Sequence, residues 1–149
     1  MLKVTCACIV KEGRILVTQR GADTYHPFLW EFPGGKIKPD ETPEACIKRE
    51  IREELELEIK ILKPMVSVQH NYQTKQIELI PFLCSTNSEK LKLNEHVDFK
   101  WVEWNELFEL PFSEADEKLI QQVANREILK EYFGKETDKT GQNTGPANN

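Results

Sequence analysis

A glycine-rich turn set directly ahead of a helix crowded with carboxylates, Gly34 to Leu57 (GGKIKPDETPEACIKREIREELEL), constrains this 149-residue chain more than any other stretch. Thr42 suits the N-cap, Pro43 suits the first helical position where no amide partner is lost, and Glu44 complements the positive helix end, so a helix starts at Pro43. Glu50 and Glu53 are spaced i,i+3 and Glu50 and Glu54 i,i+4, which puts all three carboxylates on one face. Ile47, Ile51 and Leu55 form an apolar stripe about a quarter-turn away. Carboxylates so close repel one another, and water and salt, proton uptake or a hard divalent cation must offset that. The expected cation is Mg2+, with Mn2+ as the alternative.

The glycines permit a tight backbone path, from which Gly34 can turn its carbonyl toward a metal while Lys36 flanks phosphates. Either feature alone is ordinary: most Pro-Gly-Gly stretches are simple turns, and most acidic helix faces are solvated. The long gapped pattern is what singles them out. Gly35 is followed after five residues by Glu41, then after seven by Arg49-Glu50, an apolar Ile51, Arg52 and Glu53-Glu54.

This spacing resembles the signature of the Nudix hydrolase family, and LWEFPGGK, Leu29 to Lys36, resembles the segment ahead of it in the MutT-like branch. One position departs: Glu56 stands where the signature has its second glycine, while Leu57 keeps the apolar position after it. A glycine there would cap the helix in a left-handed conformation that costs other residues energy, so the departure bears on the helix end rather than on the ligands. The resemblance spans Lys3 to Val123. It implies an α/β (α+β) fold, a Nudix-type α/β/α sandwich with a mixed β-sheet.

It also implies a magnesium-dependent hydrolase of a nucleoside diphosphate linked to another group. Gly34, Glu50, Glu53, Glu54 and Glu95 are carried over as the metal set, and Glu50, Glu53, Glu54 and Glu95 as the catalytic carboxylates, with Glu50 or Glu95 as general base. Arg20 and Lys36 are expected on the phosphates, and Glu41 and Arg49 as braces of the helix. Asp116 falls where MutT-type enzymes read the oxidised purine with an asparagine; as an ionised acceptor it suits the amine of cytosine or the donors of guanine. It is equally suited to the first turn of a helix, where negative charge is favourable. The expected reaction is hydrolysis of a nucleoside triphosphate such as 8-oxo-dGTP to the monophosphate and pyrophosphate, a nucleotide-pool sanitation activity in the service of DNA repair. A CTP or 5-methyl-dCTP pyrophosphohydrolase is the alternative. A Nudix-like sensor that binds nucleotide without cleaving it is a third reading, disfavoured by the intact carboxylate set.

The remaining segments fill out this picture. Leu2 to Val10 and Ile15 to Arg20 read as a hairpin around Lys11 to Arg14, Glu58 to Tyr72 and Lys75 to Cys84 as two strands, and Leu91 to Val102 as a β-type pattern broken by Asn94, Glu95 and His96. Gly21 to Phe28 is a polar loop able to cover a ligand, with His26 as a loop histidine. Trp104 to Leu110 reads as a helical turn, and Ser113 as the cap of one final helix from Glu114 to about Phe133. Residues 1–133 form one domain, and 134–149, nearly devoid of apolar residues, are expected to be disordered.

A net charge of -5 argues against nucleic acid polymers and anionic membranes as partners and leaves room for small phosphorylated ligands, of which the resemblance implies a small-molecule nucleotide. No membrane-length apolar run and no signal-peptide pattern occurs, so a cytoplasmic protein, monomer or homodimer, is expected. Cys6, Cys8, Cys46 and Cys84 are too scattered for a zinc site and read as buried free thiols.

Overall fold

The computed structural model describes residues 1–139, with side chains described through residue 133. The chain forms β1 (Leu2–Lys11), β2 (Arg14–Gln19), β3 (Trp30–Glu31), β4 (Gly34–Lys36), α1 (Pro43–Leu55), β5 (Lys60–Pro64), β6 (Val68–Tyr72), β7 (Lys75–Ser85), β8 (Asp98–Val102), α2 (Trp104–Leu107), α3 (Glu114–Gln121) and α4 (Val123–Lys139). α4 thus carries the backbone beyond Gly134, and 140–149 of the expected tail lie outside the described residues.

β1 and β7 run parallel at the centre, and the other pairings between these strands are antiparallel: β2 and β4 on β1, β3 and β8 on β2, β5 and β6 on β7. Alternate residues of β1 enter two separate cores. Cys6, Cys8 and Val10 join Leu119, Ile120 and Leu129 from α3 and α4, whereas Ala7 and Ile9 meet Ile47, Ile51 and Leu55 of α1. The result is the expected mixed sheet between helical layers, with all four cysteines buried and free.

Three expected elements are divided by long-range partners. The single strand from Glu58 to Tyr72 is two, β5 and β6, because it lies against Pro81 in the middle of β7. Met65 donates to the Pro81 carbonyl at 3.0 Å, so that edge of Pro81 faces the gap, and proline has no N–H to continue the ladder there. The single final helix is broken at Gln122, whose backbone is extended (φ -66°, ψ 128°). Gln122 then starts α4, its carbonyl accepting from Arg126 at 3.0 Å and its side-chain oxygen from the Asn125 N–H at 2.9 Å. Of the β-type pattern from Leu91, only Asp98–Val102 is a strand; Leu91 and Leu93 instead pack on the α1 core.

α1 begins as the sequence leads one to expect, with Thr42 accepting from the Ala45 N–H at 3.0 Å and Pro43 in the first turn. It ends at Leu55, and Glu56 itself takes the left-handed conformation of the missing glycine (φ 53°, ψ 40°). Ser113 holds the N-cap position of α3, but its side chain makes no capping bond.

Candidate active site

Close backbone packing fits the glycine turn onto the carboxylate helix. A Cβ at Gly34 would run into the backbone of Thr5 and Cys6, and one at Gly35 would run into the carboxylate of Glu50. The Thr5 hydroxyl steadies this approach, donating to the Gly35 carbonyl at 3.1 Å and lying 3.2 Å from the Cys46 sulfur.

Arg49 ties the outer carboxylates together. Its guanidinium donates to Glu41 at 2.7 and 3.0 Å, to Glu50 at 2.9 Å, to Glu53 at 3.2 Å and to the Lys36 carbonyl at 3.2 Å. Hydrogen bonds from Arg49 and then from the Lys38 backbone bring the Glu41 carboxyl down to about 2, and the reciprocal bonds raise Arg49 above its ordinary value. Glu41 and Arg49 therefore brace the turn against the helix, and Arg49 pairs with Glu41 and Glu50 as well as with Glu53 at i+4.

Glu54 differs from its neighbours. It is buried, 6% exposed, and its Oε1 has no hydrogen-bond partner. Burial first, then the charges of Glu95, Glu50 and Glu31, push its carboxyl up to about 10. Glu54 borders a cavity of about 370 Å³, together with Gly34, Lys36, Glu95, Arg20 and Asp116. Glu50 is tucked against Gly35, and Glu53, with its side chain 52% exposed, leans on Arg49. Among the described residues, no three His, Cys, Asp or Glu side chains are gathered around one point as cation ligands are. The donors nevertheless fit a hard divalent cation in kind, since all are oxygens and one buried carboxylate oxygen is unpartnered.

Arg20 is less available for phosphate than its place in the sequence implies. Its Nη1 donates to Glu31 at 2.8 Å and its Nε to the Tyr25 carbonyl at 2.9 Å. The other oxygen of Glu31 is 2.9 Å from His96 Nε2. Glu31 and His96, neither singled out by sequence, thus join three distant segments on the cavity wall. The only sequence signal for Glu31 is its place in LWEFPGGK.

Asp116 lies on the cavity wall, in the first turn of α3. It is 6% exposed and accepts from the Phe32 N–H at 2.9 Å. Burial, reinforced by the charge of Glu31, raises its carboxyl well above the usual range, which favours the protonated form over the ionised acceptor. His26 lies in the loop between β2 and β3, as expected, and also lines the cavity. It lies 4.0 Å from the Tyr25 ring and 5.2 Å from that of Tyr72, forming an aromatic wall to the same cavity.

Residues 1–123 match the NUDIX domain. The CTP pyrophosphohydrolase of Escherichia coli (strain K12) is 33% identical over 121 residues, covering 81% of this chain and 90% of its own. The 8-oxo-dGTP diphosphatase of Haemophilus influenzae is 32% identical over 126 residues, covering 84% and 93%. Among solved structures, the MutT protein of methicillin-resistant Staphylococcus aureus 252, described as a Nudix hydrolase, is 32% identical with a TM-score of 0.67, over 87% of this chain and 96% of that one. A match that runs from the first strand through α3, with the carboxylate helix at its middle, makes the chain a member of the Nudix hydrolase family, in its MutT-like branch.

Proposed function

We propose that the chain hydrolyses nucleoside triphosphates to the monophosphate and pyrophosphate, with Mg2+ as its cation and 8-oxo-dGTP as the leading substrate. The observation that carries this is the buried Glu54 carboxyl, its Oε1 without a partner, on a cavity wall shared with Glu95, Gly34 and Lys36. Family members use divalent metal ions, which when bound neutralise phosphate oxygens and lower the pKa of water. Glu50, Glu53, Glu54, Glu95 and the Gly34 carbonyl would hold the cation, with Glu50 or Glu95 taking the proton from the attacking water. Water oxygen adds to a phosphorus of the α–β anhydride as the bridging P–O bond breaks. Lys36 and Arg20 meet the charge that accumulates on the departing pyrophosphate, Arg20 by sharing its guanidinium with Glu31. A small-molecule nucleotide as substrate fits a cytoplasmic protein acting as monomer or homodimer.

The aromatic wall of Tyr25, His26 and Tyr72 suits the flat face of a base, and Asp116, whose burial favours the protonated form, then has both a donor and an acceptor for the base edge. CTP or 5-methyl-dCTP is the second reading, favoured by the relative from Escherichia coli named as a CTP pyrophosphohydrolase. Purified protein with Mg2+ is to be assayed on CTP, 5-methyl-dCTP, dGTP and 8-oxo-dGTP with product identification. Monophosphate and pyrophosphate are expected, with 8-oxo-dGTP preferred. Release of orthophosphate and a diphosphate would overturn the reaction assignment, and tight binding without turnover would point to a sensor.

A further inference from the structure

The C-terminal end of α1 is capped from a distance. The carbonyls of Glu53, Glu54 and Leu55, which a helix end leaves without partners, all accept bonds from one loop: Glu53 from Asn94 Nδ2 at 2.8 Å, Glu54 from the Asn94 N–H at 3.0 Å and Leu55 from the Lys92 N–H at 2.9 Å. Asn94 Nδ2 also donates to Glu56 Oε2 at 3.1 Å. Glu56 is thus strained in its left-handed conformation yet has a use there, since a glycine would offer Asn94 no carboxylate. Every N–H of Asn94 is committed to the last turn of the carboxylate helix or to the residue just after it. The next residue in the chain is Glu95, which shares the cavity wall with Glu54, and after it comes His96, bonded to Glu31.

We propose that Asn94 is the positioning residue that sets the Glu95 carboxylate against Glu54, and that Glu56, in place of the signature glycine, is its anchor. This rests on the reading of Glu95 as part of the metal-dependent site. The chemistry selects asparagine: its amide puts two N–H donors on one nitrogen at the end of a short stem, matching two acceptors, the Glu53 carbonyl and the Glu56 carboxylate. Aspartate has the same shape but would turn oxygen toward both.

The test uses the full chain and the variants Asn94→Asp, Asn94→Ala, Glu95→Gln, Glu56→Gln and the double variant Asn94→Asp with Glu56→Gln. Turnover of 8-oxo-dGTP and CTP is measured with Mg2+, binding of Mn2+ is followed by electron paramagnetic resonance, and thermal denaturation monitors the fold. Both Asn94 variants are expected to lower kcat and weaken Mn2+ binding by about 10 to 100-fold, the usual effect of losing a group that orients a ligand. KM should move much less. Glu56→Gln keeps an accepting oxygen and should lower kcat less than Asn94→Asp does. In the double variant the new amide can donate to the aspartate, so kcat and Mn2+ binding should recover in part. A merely structural role would lower the melting temperature and leave kcat and Mn2+ binding of the folded protein unchanged, which would overturn the proposal. Glu95→Gln separates the two possible failures. If it is impaired while the Asn94 variants are not, the positioning role alone falls; if it behaves as wild type, the placement of Glu95 in the site falls and the positioning role with it.

Discussion

Replacing Glu54 with glutamine separates what the buried carboxyl does for the fold from what it does for the cation. Its carboxyl stands at about 10 in the folded chain against an ordinary 4.5, so the folded state binds the extra proton throughout that interval. Without divalent metal, stability should therefore fall as pH rises from the ordinary value through the folded one. At about pH 8 the interval already crossed is about 3.5 units, which at about 1.36 kcal/mol per unit sets a ceiling near 5 kcal/mol. Local water and movement of Glu95 and Glu50 reduce the expected cost to about 1–3 kcal/mol. Glutamine has no charge to lose, so Glu54→Gln should be the more stable protein in EDTA at about pH 8, with the difference closing toward about pH 5. Adding Mg2+ should reverse the order, because a bound ion stabilises only the form that holds it. Urea denaturation of both proteins at the two pH values, with EDTA and with Mg2+, reads all of this. A wild-type stability in EDTA that does not fall with pH, or a variant no more stable at the higher pH, would refute the reasoning.

Gly35→Ala places a methyl against the Glu50 carboxylate, which must swing away from Arg49; kcat should drop by about 100-fold with a melting temperature close to wild type, and unchanged kcat would remove Glu50 from the site. Asn125, fully buried, accepts from the Val66 N–H at 2.8 Å and donates to the carbonyls of Val66 and Leu119 at 2.9 and 3.2 Å, so Asn125→Ala should cost about 2–4 kcal/mol in urea denaturation while the folded fraction keeps its kcat. The Asp116 oxygen that accepts from the Phe32 N–H has a counterpart in an asparagine amide, and burial disfavours the charged carboxylate, so Asp116→Asn should preserve the order of kcat/KM among CTP, 5-methyl-dCTP, dGTP and 8-oxo-dGTP, and Asp116→Ala should compress it. An order that inverts in the asparagine variant would show that the carboxylate is ionised when the base is bound.

What could be read from the sequence had local causes. The start of α1 is dictated by Thr42 and Pro43, and its two faces by spacing alone, so the sharing of one side by Glu50, Glu53 and Glu54 was legible in the order of residues. Which of the three enters the cavity was not. Glu53 and Glu54 are adjacent in sequence, yet one is drawn outward by Arg49 and the other is shut in by Glu31, Glu95 and the glycine turn. The misjudged breaks have the same origin. β5 and β6 separate because of Pro81 on another strand, and Asn125, just inside α4, is anchored to Val66 in the gap between them. Asp116 was identifiable as a residue, but the upward shift of its carboxyl was not legible, since that depends on burial and on the charge of Glu31.

Glu56 belongs to both kinds. The strain of a non-glycine residue at a left-handed helix end is local and was foreseeable, but a reason to tolerate it was not. That reason lies about forty residues on, in an asparagine whose amide needs somewhere to donate. A departure from a signature can thus mark a hydrogen bond to a distant segment, and here the loop that donates it is the one that carries Glu95 to the cavity.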